Sequence, residues 1–76
     1  MTVLADLKPG QSGLISGFRN DGPLVQRMMS LGVLEGNEVK VIRLAPAGDP
    51  IQIEILGYSL SLRRSEAAVI DVENVR

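Results

Sequence analysis

Cysteine and histidine are both absent from this chain of 76 residues. Without cysteine there is no disulfide and no thiolate chemistry, and without histidine the commonest general base and the commonest transition-metal ligand are missing. Most enzyme mechanisms lose their central residue at once. Tryptophan is absent too, and with one Phe and one Tyr the core has to be assembled from Leu, Ile and Val. Neither sign of charge is in excess: 8 basic and 9 acidic residues leave a formal net charge of -1, so the basic footprint that nucleic acid requires is missing. No apolar run approaches the roughly 18 residues of a membrane span. The start, Met1-Thr2-Val3-Leu4-Ala5-Asp6-Leu7-Lys8, lacks the cationic and apolar regions of a signal peptide. The expectation is a cytoplasmic protein that binds no nucleic acid and inserts in no membrane.

What is present is an aliphatic-rich sequence, 45% hydrophobic, for which disorder is not expected. Its length fits one domain over 1–76, and a chain of this size removes only about 60% of its surface from water on folding.

One segment stands apart, Pro23-Leu24-Val25-Gln26-Arg27-Met28-Met29-Ser30-Leu31 followed by Gly32. Pro23 suits a first helical position because the amide proton it lacks would have no partner there, and Asp21 or Gly22 can cap. Gly32 can adopt the left-handed conformation that ends a helix, and that motif predicts a contact between Met28 and Val33. Leu24, Met28 and Leu31 share one face at i, i+4 and i+7, widened by Val25 and Met29. Such a stripe is core in the plain reading, and for Met28 and Leu31 core is favoured. Leu24 and Met29 divide evenly between core and contact surface, since methionine adapts to irregular partners.

The rest is punctuated like a small barrel. Lys8-Pro9-Gly10-Gln11 is a turn after an apolar lead-in, and Ser12–Phe18 is a strand whose glycines mark a bend or a close backbone approach. Glu38–Leu44 is a β-branched strand whose alternation slips at Val41-Ile42, by a bulge or by burial on both faces. Ala45–Pro50, with two prolines and a glycine, is a hairpin loop. Ile51-Gln52-Ile53-Glu54-Ile55 alternates strictly, and after the link Leu56-Gly57 so does Tyr58–Arg63, with Tyr58, Leu60 and Leu62 inward. Ser65 can cap a helical turn near 65–68, and Val69–Glu73 closes with Ile70 and Val72 inward. Five short strands with one inserted helix at about 23–31 favour a closed or nearly closed barrel, which hides the edges of an open sheet.

Chemistry-bearing residues do not converge. Asp6, Asp21, Asp49, Glu54 and Glu66 show no ligand spacing, the thioethers of Met28 and Met29 suit cuprous rather than ferrous ions, and no metal or cofactor is expected. Ser61 and Ser65 have no base beside them. Arg63-Arg64 reads as solvated charge, or as a contact for carboxylates or phosphates. Asp49 reads as an Asx-type turn residue or as a charged loop tip offered to a partner.

Four segments in order resemble the FeoA family of bacterial ferrous iron uptake: Leu4–Gln11 with Gly13 and Ile15, Arg27–Val33, Ala45–Pro50, and Gly57–Arg63 with Glu66-Ala67. Glu35 departs from the pattern, standing where the family often has proline. The resemblance implies an SH3-like barrel that is not an enzyme and acts with the membrane GTPase transporter FeoB, through its cytoplasmic portion, at the inner membrane's periphery. The residues expected to bind the partner are Leu24, Val25, Arg27, Met28 and Met29, with Asp49 as a second contact. Weak self-association is also compatible with this face. The other reading is an iron-responsive regulatory domain, like the SH3-like domain that ends iron-dependent repressors.

Overall fold

Six antiparallel strands form among residues 2–76, which are those the computed structural model describes: β1 (Thr2–Val3), β2 (Ser12–Phe18), β3 (Glu38–Leu44), β4 (Ile51–Ile55), β5 (Tyr58–Leu62) and β6 (Ile70–Glu73). Met1 lies outside the described residues. The order across the sheet is β1-β6-β2-β3-β4-β5. The strand that the sequence did not announce is β1, which pairs Thr2 with Val72 and Val3 with Asp71. A strand of two residues is too short to display alternation. A single 3₁₀ turn, Leu4–Asp6, follows and buries Leu4 and Ala5.

Alternation governs the rest. On β4, Ile51, Ile53 and Ile55 are buried against outward Gln52 and Glu54, and Ile70 and Val72 repeat the arrangement on β6. The slip at Val41-Ile42 is a bulge: Val41 opposes Ile53 and Arg43 opposes Gln52, so Ile42 is left over and exposed. A second bulge lies at Ser16, between the pairs Ile15–Val72 and Gly17–Asp71. Gly13 marks a close approach, since a Cβ there would stand 3.0 Å from the Glu73 carbonyl oxygen.

On β5 the inward face fades toward the hairpin. Leu62 is buried, Leu60 is half-buried, and Tyr58 is exposed, so Tyr58 is not the core residue its alternation predicted. It stands at the hairpin end of the strand, and although its cross-strand partner Ile55 is buried, its own ring is left exposed.

The inserted helix is α1 (Pro23–Ser30), with Gly22 at its N-cap and Pro23 in first position. Its C-terminus closes as expected. The Val33 N–H donates to the Met28 carbonyl at 3.1 Å and the Gly32 N–H to the Met29 carbonyl at 3.0 Å, with Gly32 at φ 94° and both Met28 and Val33 fully buried. A Cβ on Gly32 would also lie 2.8 Å from Leu56 Cδ1. Gly32→Ala is therefore expected to destabilise the domain by about 1–2 kcal/mol, the usual cost of left-handed backbone with a side chain, measurable by urea denaturation.

The second helical turn, α2 (Arg64–Ala67), begins one residue earlier than expected. Ser65 lies inside it rather than at its cap. The stabilising group is Glu66, whose Oε1 accepts the Arg63 N–H at 2.7 Å, because a carboxylate three residues on can reach back over the first turn.

Candidate docking surface on the inserted helix

The burial of α1 corrects two of the residues expected to bind a partner. Met28 is 0% exposed and cannot touch another molecule without unfolding, and Val25, at 4%, belongs to the same core cluster and shows only an edge at the surface. The buried stripe runs through Val25 and Met28, rotated by one residue from the Leu24–Met28–Leu31 row. Leu24 and Leu31 are half-buried flanks, and Leu24 packs against the core from its border. Met29, at 39% exposure, faces solvent.

Arg27 is exposed but engaged. Its Nη1 lies 3.2 Å from Oε2 of Glu66, the one buried charged residue among the described residues, which is 4% exposed. Both oxygens of that carboxylate are therefore satisfied, one by α1 and one by the Arg63 backbone. At the other end, Gly32 lies beneath Leu56 and the Tyr58 hydroxyl. These two contacts hold α1 near both ends of β5.

Asp49 is exposed and bonds far from its own turn. Its Oδ1 accepts the Arg64 N–H at 3.0 Å, and Arg64 Nη1 donates to the Gly48 carbonyl at 3.4 Å, so the β3–β4 loop is pinned to the start of α2. Ser61 and Ser65 are exposed and make no side-chain hydrogen bond among the described residues. No group of three or more His, Cys, Asp or Glu among the described residues could hold a metal ion.

Beside Met29 the surface opens into a groove of about 610 Å³ between α1, the end of β2 and the turn after Gly32. Its apolar lining comes from Phe18, Val25, Met29 and Leu34, and its charged lining from Arg19, Asp21 and Glu35. Phe18 and Leu34 were missed in the sequence, since each lies outside a periodic stripe and only the fold brings them together. Met29, Leu34, Leu56 and Tyr58 are four of the five large exposed hydrophobic residues among those described, and all four gather around the C-terminal end of α1.

The described architecture has known counterparts. A family model described as the FeoA domain matches residues 2–74. A fusion protein of Fe(2+) transport protein A and the Fe(2+) transporter FeoB from Porphyromonas gingivalis is 34% identical over 70 residues, which are 92% of this chain and 8% of the fusion protein. This chain therefore spans only a small part of that relative. The solution structure of a FeoA protein from Chlorobium tepidum is 37% identical and superposes with a TM-score of 0.86, covering 93% of this chain and 68% of that one. The crystal structure of Stenotrophomonas maltophilia FeoA complexed with zinc, called a prokaryotic SH3 domain protein, is 22% identical with a TM-score of 0.88, covering 100% and 96% of the two chains, and shows the shared SH3-like fold. With a six-stranded SH3-like sheet, an inserted helix and a family match over nearly its whole length, this chain belongs to the FeoA domain family, whose members take part in ferrous iron transport.

Proposed function

We propose that this chain is a non-enzymatic accessory domain of bacterial ferrous iron uptake, which docks on the cytoplasmic portion of FeoB through the face bearing Leu24, Arg27 and Met29, with the Asp49 loop as a second contact. The observation that carries the reading is the Porphyromonas protein, in which a stretch 34% identical to this chain is joined to FeoB in one polypeptide. A covalent tether raises the effective concentration of two partners and is useful where their surfaces meet. The exposed apolar cluster at the end of α1 supplies such a surface, and the absence of histidine and cysteine leaves binding as the natural role. No described helix is long and apolar enough to cross a membrane, so in this reading the domain reaches the membrane's cytoplasmic side through its partner.

The test is FeoB reconstituted in vesicles with and without this protein. The expected result is saturable association and a change in GTP hydrolysis, ferrous iron flux or transporter assembly. Absence of association, with all three unchanged, overturns the proposal.

A further inference from the structure

The groove beside Met29 combines apolar lining with an excess of negative charge. Phe18, Met29 and Leu34 form an apolar strip open to solvent. Around it, Arg19 is already countered by Asp71, whose Oδ1 lies 2.8 Å from its Nε. Asp21 and Glu35 are exposed and have no ion-pair or hydrogen-bond partner among the described residues. The rim thus carries two negative charges in excess, although the whole chain has a net charge of only -1.

We infer that this groove receives an amphipathic basic segment of the partner, with apolar side chains on Phe18, Met29 and Leu34 and lysine or arginine side chains meeting Asp21 and Glu35. The inference rests on the docking reading and names the chemistry of what docks. Charge complementarity selects the occupant. Lysine and arginine lay their alkyl stems along apolar surface while keeping their charge at the rim, so one such residue satisfies both parts of the groove. Acidic segments, phosphate backbones and anionic lipid surfaces meet the same carboxylates as repulsion, which sets specificity and the rate of encounter more than affinity.

The experiment titrates the isotope-labelled protein, followed by amide resonances, with a short amphipathic Leu/Lys peptide and with its Leu/Glu analogue. The Leu/Lys peptide is expected to shift Phe18, Asp21, Met29, Leu34 and Glu35 saturably, and the Leu/Glu peptide to give no saturable shift. In the double variant Asp21→Lys with Glu35→Lys, Kd should rise about tenfold, equivalent to about 1.4 kcal/mol. Should that variant lose its dispersed spectrum, Asp21→Asn with Glu35→Gln replaces it, with a smaller rise expected. Shifts centred elsewhere, equal binding of both peptides, or an unchanged Kd overturn the inference.

The cytoplasmic portion of FeoB then separates the two readings. Equal binding of FeoB by the wild type and the charge-reversed protein retains docking and overturns the groove assignment. Peptide binding in the groove without any FeoB binding does the reverse. Self-association in sedimentation equilibrium that the charge reversal abolishes would give the groove to a second copy and likewise overturn the inference.

Discussion

Met29→Asp is expected to leave the domain folded and to abolish its capture of FeoB's cytoplasmic portion, whereas Met28→Asp is expected to leave no folded domain to test. The residues are chain neighbours with opposite surroundings: Met28 is fully buried behind α1 and Met29 faces the groove. A chain of this length has net stability of about 4–11 kcal/mol at the usual 0.05–0.15 kcal/mol per residue. Truncating a buried methionine costs about 2–5 kcal/mol, and an unpaired buried carboxylate adds several more. Together these consume the margin. At Met29 the new carboxylate stays hydrated, so folding is spared, while the groove loses an apolar contact and gains a hydrated group that a partner's apolar side chain would have to desolvate. Circular dichroism and a pull-down decide the matter. An unfolded Met29→Asp protein would show that this side chain is structural. Leu24→Asp should fall between, losing stability with association, because Leu24 is half-buried against the core.

The second large effect is expected at Glu66. Glu66→Ala removes the acceptor for the Arg63 N–H and the partner of Arg27 together. Hydrogen bonds to a charged acceptor contribute about 1.5–3 kcal/mol. The Arg27 pair adds less, because the Arg27 side chain is largely in solvent. A loss of about 2–3 kcal/mol is expected, which for a domain of this size lowers Tm by about 10–20 °C. Glu66→Gln keeps an oxygen for the Arg63 N–H and should recover part of the loss. In the Glu66→Ala background, Arg27→Ala should cost almost nothing further, a double-mutant result that isolates the contact between α1 and α2. If the two substitutions add in full, Arg27 acts elsewhere.

The barrel was legible where a physical period extends over enough residues to be read. The isoleucines of β4 and the helix-ending Gly32 motif follow from spacing along the chain, and the slip at Val41-Ile42 is visible there, although only the strand pairing decides for a bulge over burial on both faces. Legibility failed where a third dimension decides. The apolar row on α1 contains more residues than the core can cover, and which of two rows turns inward depends on packing, not on periodicity. Hence Val25 and Met28 belonged to the core while Met29 did not. Tyr58 obeys the alternation of its strand and pairs with buried Ile55, yet it is exposed. The groove joins Phe18 to Leu34 across the helix insertion, and Asp49 bonds to Arg64 rather than within its own turn. Neither pairing leaves a mark in the local sequence. Glu66 resembled any surface glutamate until its two hydrogen bonds were placed.

The position of Tyr58 has an optical consequence. In a chain with no tryptophan and a single tyrosine, emission excited at wavelengths too long for phenylalanine comes from one ring, and the hydroxyl of that ring overlies Gly32 at the end of α1. Its quantum yield and anisotropy therefore follow the seating of the helix without any label. A partner that covers or lifts that corner would register directly as a change in tyrosine fluorescence, on the timescale of mixing.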